Sequence, residues 1–259
     1  MRTNRTKELL NQGKVALGSI AGQIRSAEVA RLYAAAGLDW IFIDTEHGCH
    51  TVETVQDIVR ASLMTHMTPI VRLPDFQYSL VARALDMGAE GIILPRAESP
   101  ELLAKAVSWT KFPPVGVRGF GLGAPQIGYQ TATFDEIIGH YNDQTLVAFQ
   151  IESQVALDRR DELISVPGVD AVMIGPADLS ISLGVAGQFE HPKLVEAITQ
   201  VIETCNKYDR IPAIQVRSPA LAKFWIDRGM KLVGCGADLA ILWDAVSSMA
   251  TDLKAARGD

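Results

Sequence analysis

Cysteine is scarce and poorly placed for pairing. Cys49, Cys205 and Cys235 are the only three in 259 residues. None forms a CxxC pair, and an odd number leaves one unpaired in any disulfide scheme. Reduced thiols point to a cytoplasmic protein. Basic charge is in deficit, with 24 Lys and Arg against 30 Asp and Glu and a net charge of −6. The clustered cations that bind nucleic acid or anionic lipid are missing, so neither is expected as a partner. No run approaches the roughly 18 apolar residues of a membrane span. The polar start, residues 1–14, lacks the apolar core of a signal peptide. Low-complexity tracts and linkers are also lacking, so residues 1–259 are expected to form one domain.

What is present is an alternation. Apolar residues make up 48% of the chain, enough for a large core. Eight short, nearly continuous apolar runs lie at 15–20, 40–44, 69–73, 91–95, 146–152, 171–175, 212–216 and 232–236, as expected of strands buried on both faces. Helical patterns fall between them. The segment 28–36 stops at Gly37, 51–64 starts at Thr51, and 77–87 is expected to be capped by Asp75 and to end at Gly88. Ser99-Pro100 and Ser218-Pro219 read as N-caps followed by proline at the first helical position. The last helix is expected over 239–256. Residues 112–133, rich in glycine and proline, form the one long irregular stretch. Eight strand–helix units of about 250 residues predict a (β/α)₈ TIM barrel, with a doubly wound open sheet as the competing topology.

In such a barrel, chemistry sits at the C-terminal ends of the strands. Polar residues gather there: Asp44-Thr45-Glu46-His47 after the second strand, Arg72 ending the third, Gln150 and Glu152 ending the fifth, and Asp178 after the sixth. Each alone has a bland explanation, such as a helix cap or an ion pair; their convergence on one mouth does not. Glu152 and Asp178 suit a hard divalent cation such as Mg²⁺ or Mn²⁺, leaving other positions to water or substrate. A 2-oxo acid chelates such an ion, and Arg72 would stabilise the enolate at its keto oxygen. His47 beside Asp44 reads as a base with an orienting carboxylate. Backbone N–H groups of Ala177 and Asp178 are placed to hold a substrate carboxylate. A Schiff-base route needs a lysine in the site, and none of the nine lysines ends a predicted strand.

The stretches 37–48 (GLDWIFIDTEHG), 69–74 (PIVRLP), 113–121 (PPVGVRGFG), 150–153 (QIES) and 168–180 (GVDAVMIGPADLS) together resemble the class II pyruvate aldolases, the family of 4-hydroxy-2-oxoheptanedioate aldolase and 2-dehydro-3-deoxyglucarate aldolase. The resemblance runs from about Gly18 to Val246. It implies reversible aldol cleavage of a 4-hydroxy-2-oxo acid to pyruvate, or a relative such as hydroxypyruvate, and an aldehyde. It implies metal ligation by Glu152 and Asp178 with Mg²⁺, Mn²⁺ or Co²⁺ and no organic cofactor. It also implies contact of Arg72 with the keto oxygen and proton handling by His47 supported by Asp44. Gln150 matches a position close to the metal. Asp86 matches an acidic position that approaches a neighbouring subunit's site, and Arg118 one in a loop near the acceptor side; an interface salt bridge is the alternative for both. Several relatives carry a tryptophan after the first strand's glycine, whereas residues 18–23 here hold no aromatic.

Two other readings stay open: another metal–enolate lyase or decarboxylase, and a non-catalytic 2-oxo acid binding protein. The last would have no need of the Asp44–His47 pair. The final helix places Ile241, Leu242, Ala245, Val246 and Met249 on one broad apolar stripe, extended by Leu239 and Trp243. One face is expected to pack on its own barrel, and the excess either covers a neighbouring subunit or packs within the same chain, alternatives the pattern alone does not separate. The resemblance implies a homohexamer.

Overall fold

The computed structural model describes residues 1–257. Eight parallel strands close in sequence order into a barrel: β1 (Ala16–Ala21), β2 (Trp40–Asp44), β3 (Thr68–Arg72), β4 (Gly91–Leu94), β5 (Leu146–Ile151), β6 (Ala171–Ile174), β7 (Ile211–Val216) and β8 (Leu232–Ala237). The open-sheet alternative is excluded, because β8 pairs with β1. The helices are α1 (Arg5–Asn11), α2 (Glu28–Ala35), α3 (Val52–Leu63), α4 (Tyr78–Asp86), α5 (Pro100–Ser108), α6 (Phe134–Gln144), α7 (Gln154–Asp158), α8 (Arg160–Ile164), α9 (Pro176–Ser182), α10 (Pro192–Lys207), α11 (Pro219–Ile226) and α12 (Asp238–Arg257). No helix among the described residues is long and apolar enough to cross a membrane.

Strands β2 to β6 are buried along their whole length. One face of each strand packs against the helical ring, and the other fills the barrel. The interior is plugged by Trp40, Phe42, Ile70, Ile93 and Met173 among small alanines, and Leu10 of α1 joins the plug from below. Gly18 is required there: a Cβ at this position would fall 2.4 Å from the Trp40 indole, which occupies that volume. With the lower barrel filled by side chains, the interior is open toward the strands' C-terminal ends, where a cavity is found.

Local chemistry starts the helices where their sequences demand it. Thr51, Ser99 and Ser218 each accept a hydrogen bond from the backbone N–H three residues on, satisfying a donor the helix cannot. Asp75 does not act as the expected cap. Its carboxylate accepts from the Phe76 N–H and the Gln77 side chain instead, and α4 begins after Gln77 without a side-chain cap. The irregular segment ends in a reciprocal capping box between Thr133 and Glu136 that opens α6.

The last helix departs from expectation. α12 meets its own barrel at β1 and β8 but is not covered by it, and of its 20 residues only Asp238 is buried. Leu239, Ile241, Leu242, Trp243, Val246, Met249 and Leu253 are all exposed, Trp243 by 71%. Asp238 fixes the root of the helix: its Oδ2 accepts from three successive backbone N–H groups, those of Gly22, Gln23 and Ile24.

Candidate active site

A cavity of about 470 Å³ opens at the C-terminal mouth. Its floor is formed by Phe42, Arg72, Gln150 and Glu152 from the ends of β2, β3 and β5, and Gly175 to Asp178 close one side. Parallel register sets this layer, since Asp44 and Arg72 are direct partners across β2 and β3.

Arg72 is the buried cation of the floor. Its Nε and Nη2 donate to the two oxygens of Asp44 at 2.9 and 2.6 Å, its Nη1 lies 3.0 Å from Glu46 Oε2, and its guanidinium carbon lies 5.2 Å from the Phe42 ring centre. Nη1 also donates to Gln150 Oε1 at 3.4 Å, and Gln150 Nε2 donates to Glu152 Oε2 at 3.3 Å. Arg72, Gln150 and Glu152 thus form one chain of contacts. Burial alone would raise the Asp44 carboxyl, but the hydrogen bonds and charge of Arg72, with the His47 and Glu46 backbone N–H groups, hold it below the usual carboxylate range.

Glu152 is shifted the opposite way. Burial raises its carboxyl, and the negative charges of Glu46 and Asp178 add to that, against the pull of Arg72 and the Arg96 backbone N–H. That N–H donates to Glu152 Oε1 at 2.9 Å. Arg96 reaches it with φ of +48°, a left-handed conformation that a non-glycine residue adopts only where the surroundings enforce it.

This is a donor set that fits a hard dication. The cavity holds an excess of carboxylate over buried cation, and Glu152 is poorly stabilised as an anion without an added positive charge. Among the described residues no three His, Cys, Asp or Glu side chains converge as a fuller ligand set, so Glu152 and Asp178 would leave most coordination positions to water and substrate oxygens. Gly175 keeps the space beside them open, since a Cβ there would lie 2.8 Å from Glu152 Oε2.

Comparison with known proteins identifies the architecture. Residues 23–245 match the model of the HpcH/HpaI aldolase/citrate lyase family. The chain is 32% identical over 247 residues to a 4-hydroxy-2-oxo-heptane-1,7-dioate aldolase of Escherichia coli, covering 95% of this chain and 94% of that one. The chain belongs to the HpcH/HpaI aldolase/citrate lyase family. A 2-keto-3-deoxy-L-rhamnonate aldolase of Escherichia coli is 29% identical over 255 residues, covering 98% of this chain and 95% of that one. The crystal structure of an HpcH/HpaI aldolase from Desulfitobacterium hafniense superposes with a TM-score of 0.92 at 30% identity, covering 96% of both chains. Membership makes this protein an enzyme of the aldolase and lyase class.

Within this HpcH/HpaI site the residues singled out from sequence separate into two groups. Arg72, Gln150, Glu152, Ala177 and Asp178 line the cavity, and Asp44 lies directly behind Arg72. His47, Asp86 and Arg118 do not line it. The expected pairing of the His47 ring with Asp44 is not formed, because Asp44 is taken up by Arg72 and by backbone N–H groups, including that of His47 itself. The imidazole is 63% exposed at the rim, 3.9 Å from Glu46 Oε2. Arg118 has no exposed side chain; its guanidinium lies 4.6 Å from the Phe112 ring centre and donates to Asp86 Oδ1 at 2.8 Å. It therefore secures the 112–133 segment to the end of α4 and does not reach the acceptor side of its own cavity. Two participants went unassigned from sequence. Glu46, inside the quoted 37–48 motif, stands between Arg72 and His47, and Arg96 contributes through its backbone.

Proposed function

We propose that this enzyme is a metal-dependent aldolase that reversibly cleaves a 4-hydroxy-2-oxo acid to pyruvate, or a close relative such as hydroxypyruvate, and an aldehyde. The observation that carries this reading is the pair of carboxylates, Glu152 and Asp178, facing the locked guanidinium of Arg72 across one cavity. No lysine lines that cavity, which disfavours a Schiff-base route.

Glu152 and Asp178 would hold a divalent cation, Mg²⁺, Mn²⁺ or Co²⁺, which supplies Lewis-acid polarisation of the donor's keto group. The N–H groups of Ala177 and Asp178, in the first turn of α9 where helical partners are lacking, orient the donor carboxylate. Arg72, held rigid from behind by Asp44, presents fixed positive charge where negative charge develops on the keto oxygen as the carbon–carbon bond breaks. His47 at the rim exchanges the proton of the substrate's 4-hydroxyl, with Glu46 rather than Asp44 as its neighbouring carboxylate.

The enzyme acts as a homohexamer in the cytoplasm. The bare apolar surface of α12 supports assembly, as a second copy of this chain would cover it, and three unpaired thiols fit a reducing compartment. Asp86, on the outer layer, serves a neighbouring subunit's site with Arg118 fixing its carboxylate.

Aldol cleavage should be abolished by a chelator and restored by one of the three divalent ions. Full turnover in a verified metal-free sample would contradict the reading, as would a borohydride-trapped pyruvate adduct on lysine.

A further inference from the structure

One wall of the cavity is the corner where the first and last strands meet. Ile20 of β1, Gly236 and Ala237 of β8, and Ala240 and Asp244 of α12 line it. A single buried carboxylate holds this corner together. Asp238, 4% exposed, accepts at Oδ2 from the N–H groups of Gly22, Gln23 and Ile24 at 3.0, 2.8 and 2.7 Å. Its Oδ1 accepts from the Leu239 N–H at 2.9 Å. Three successive backbone donors converge on one charged oxygen, so the path of residues 22–24 depends on that carboxylate.

Residues 21–23 in turn carry the loop that follows β2. Gly22 O accepts from the Cys49 N–H at 2.9 Å, and Gln23 O accepts from the Cys49 thiol at 3.4 Å. His50 Nε2 lies 3.1 Å from Ala21 O, a carbonyl to which the ring must donate. The two loops touch without a gap, since a Cβ on Gly48 would fall 2.9 Å from Gly22 O. His47 lies between these outer anchors and Asp44, whose Oδ1 accepts from the His47 N–H on the inner side. Its imidazole is 63% exposed at the rim and takes its place from the backbone beneath it.

We infer that Asp238 is a positioning residue for the reaction: by fixing residues 22–24 it fixes the loop that carries His47 at the rim. The inference rests on the aldolase reading above, in which His47 exchanges the proton of the substrate's 4-hydroxyl. It names what sets the distance of that ring from the substrate. Asp238 opens α12, the helix whose apolar side stands bare, so the stance of that helix reaches His47 through three backbone bonds and one shared loop contact. The donor floor lies off this path, because Arg72, Gln150 and Glu152 are tied to one another and to Asp44. Asparagine has the shape of Asp238 but cannot replace it. Both oxygens accept, so an amide must turn its NH₂ toward either the Leu239 N–H or those of residues 22–24.

The test compares Asp238→Asn with wild type, in the presence of Mn²⁺, in cleavage of a 4-hydroxy-2-oxo acid and in pyruvate α-proton exchange. Cleavage should lose about tenfold to a hundredfold in kcat, the effect of a misplaced reacting group, while KM and the exchange rate stay near wild type. His50→Ala cuts the same path at its far end and leaves the Asp238 clamp intact. It should show the same split, and it decides alone if Asp238→Asn does not fold. In a His47→Ala background neither substitution should lower kcat further, because the effect passes through that ring. Equal losses in cleavage and exchange overturn the assignment, as do an unchanged kcat in folded Asp238→Asn and a loss that persists in full without His47. A wild type that neither cleaves nor exchanges overturns the aldolase reading and this inference with it. Active wild type with no split in the variants overturns the positioning role alone.

Discussion

Arg72 and Asp44 face each other across adjacent strands and are joined twice, Nε to Oδ1 at 2.9 Å and Nη2 to Oδ2 at 2.6 Å. The paired bonds fix the guanidinium plane, so its charge does not reorganise during reaction. Arg72→Ala should slow both pyruvate α-proton exchange and aldol cleavage, by about 10²–10³. Arg72→Lys should recover little, because an ammonium cannot make the two parallel bonds. Exchange monitored by NMR in deuterated buffer checks this; a normal exchange rate in Arg72→Ala would contradict the role.

A second prediction concerns stability far from the active site. Glu90 precedes β4, its side chain is only 12% exposed, and it pairs with Arg2 at 3.2 Å. Burial pushes its carboxyl up to about 7 against the pull of Arg2. A raised carboxyl means the folded protein holds that proton more tightly than the unfolded chain. The associated stability is full below the unfolded value of 4.5 and is lost as pH rises through about 7. Glu90→Gln should flatten that decline by up to roughly 3 kcal/mol. Urea unfolding between pH 4.5 and 8 measures it; parallel curves for the two proteins would refute it.

The third prediction is assembly. Light scattering should give six times the 28.1 kDa chain mass. A charge at the centre of the bare helix, as in Trp243→Asp, should release smaller species and lower activity. A fully active monomer would rule out both the hexamer and a shared role for Asp86.

Most of the fold is legible in sequence because each barrel strand is buried on both faces and so reads as an unbroken apolar run. The floor of the site is legible for a related reason: Asp44, Arg72, Gln150 and Glu152 are polar residues that end such runs. What escapes does so for physical causes. Arg96 acts through a backbone N–H at positive φ, which its side chain does not advertise. Glu46 and His47 lie in a loop whose path decides which of them meets Asp44, and the backbone claims that carboxylate first. Asp75 has the right residue type for a cap but turns back on its own neighbours. The apolar stripe of α12 announces burial without saying against what.

The plugged lower half of the barrel also has a kinetic meaning. On the aldolase reading proposed above, a site closed from below imposes a queue. The 2-oxo acid would take the inner place, against Arg72 and Glu152, with the aldehyde between it and solvent. In cleavage the aldehyde would then depart before pyruvate, and in synthesis pyruvate would enter before the aldehyde. The Trp40 and Phe42 rings, packed within the barrel, close it beneath that inner place.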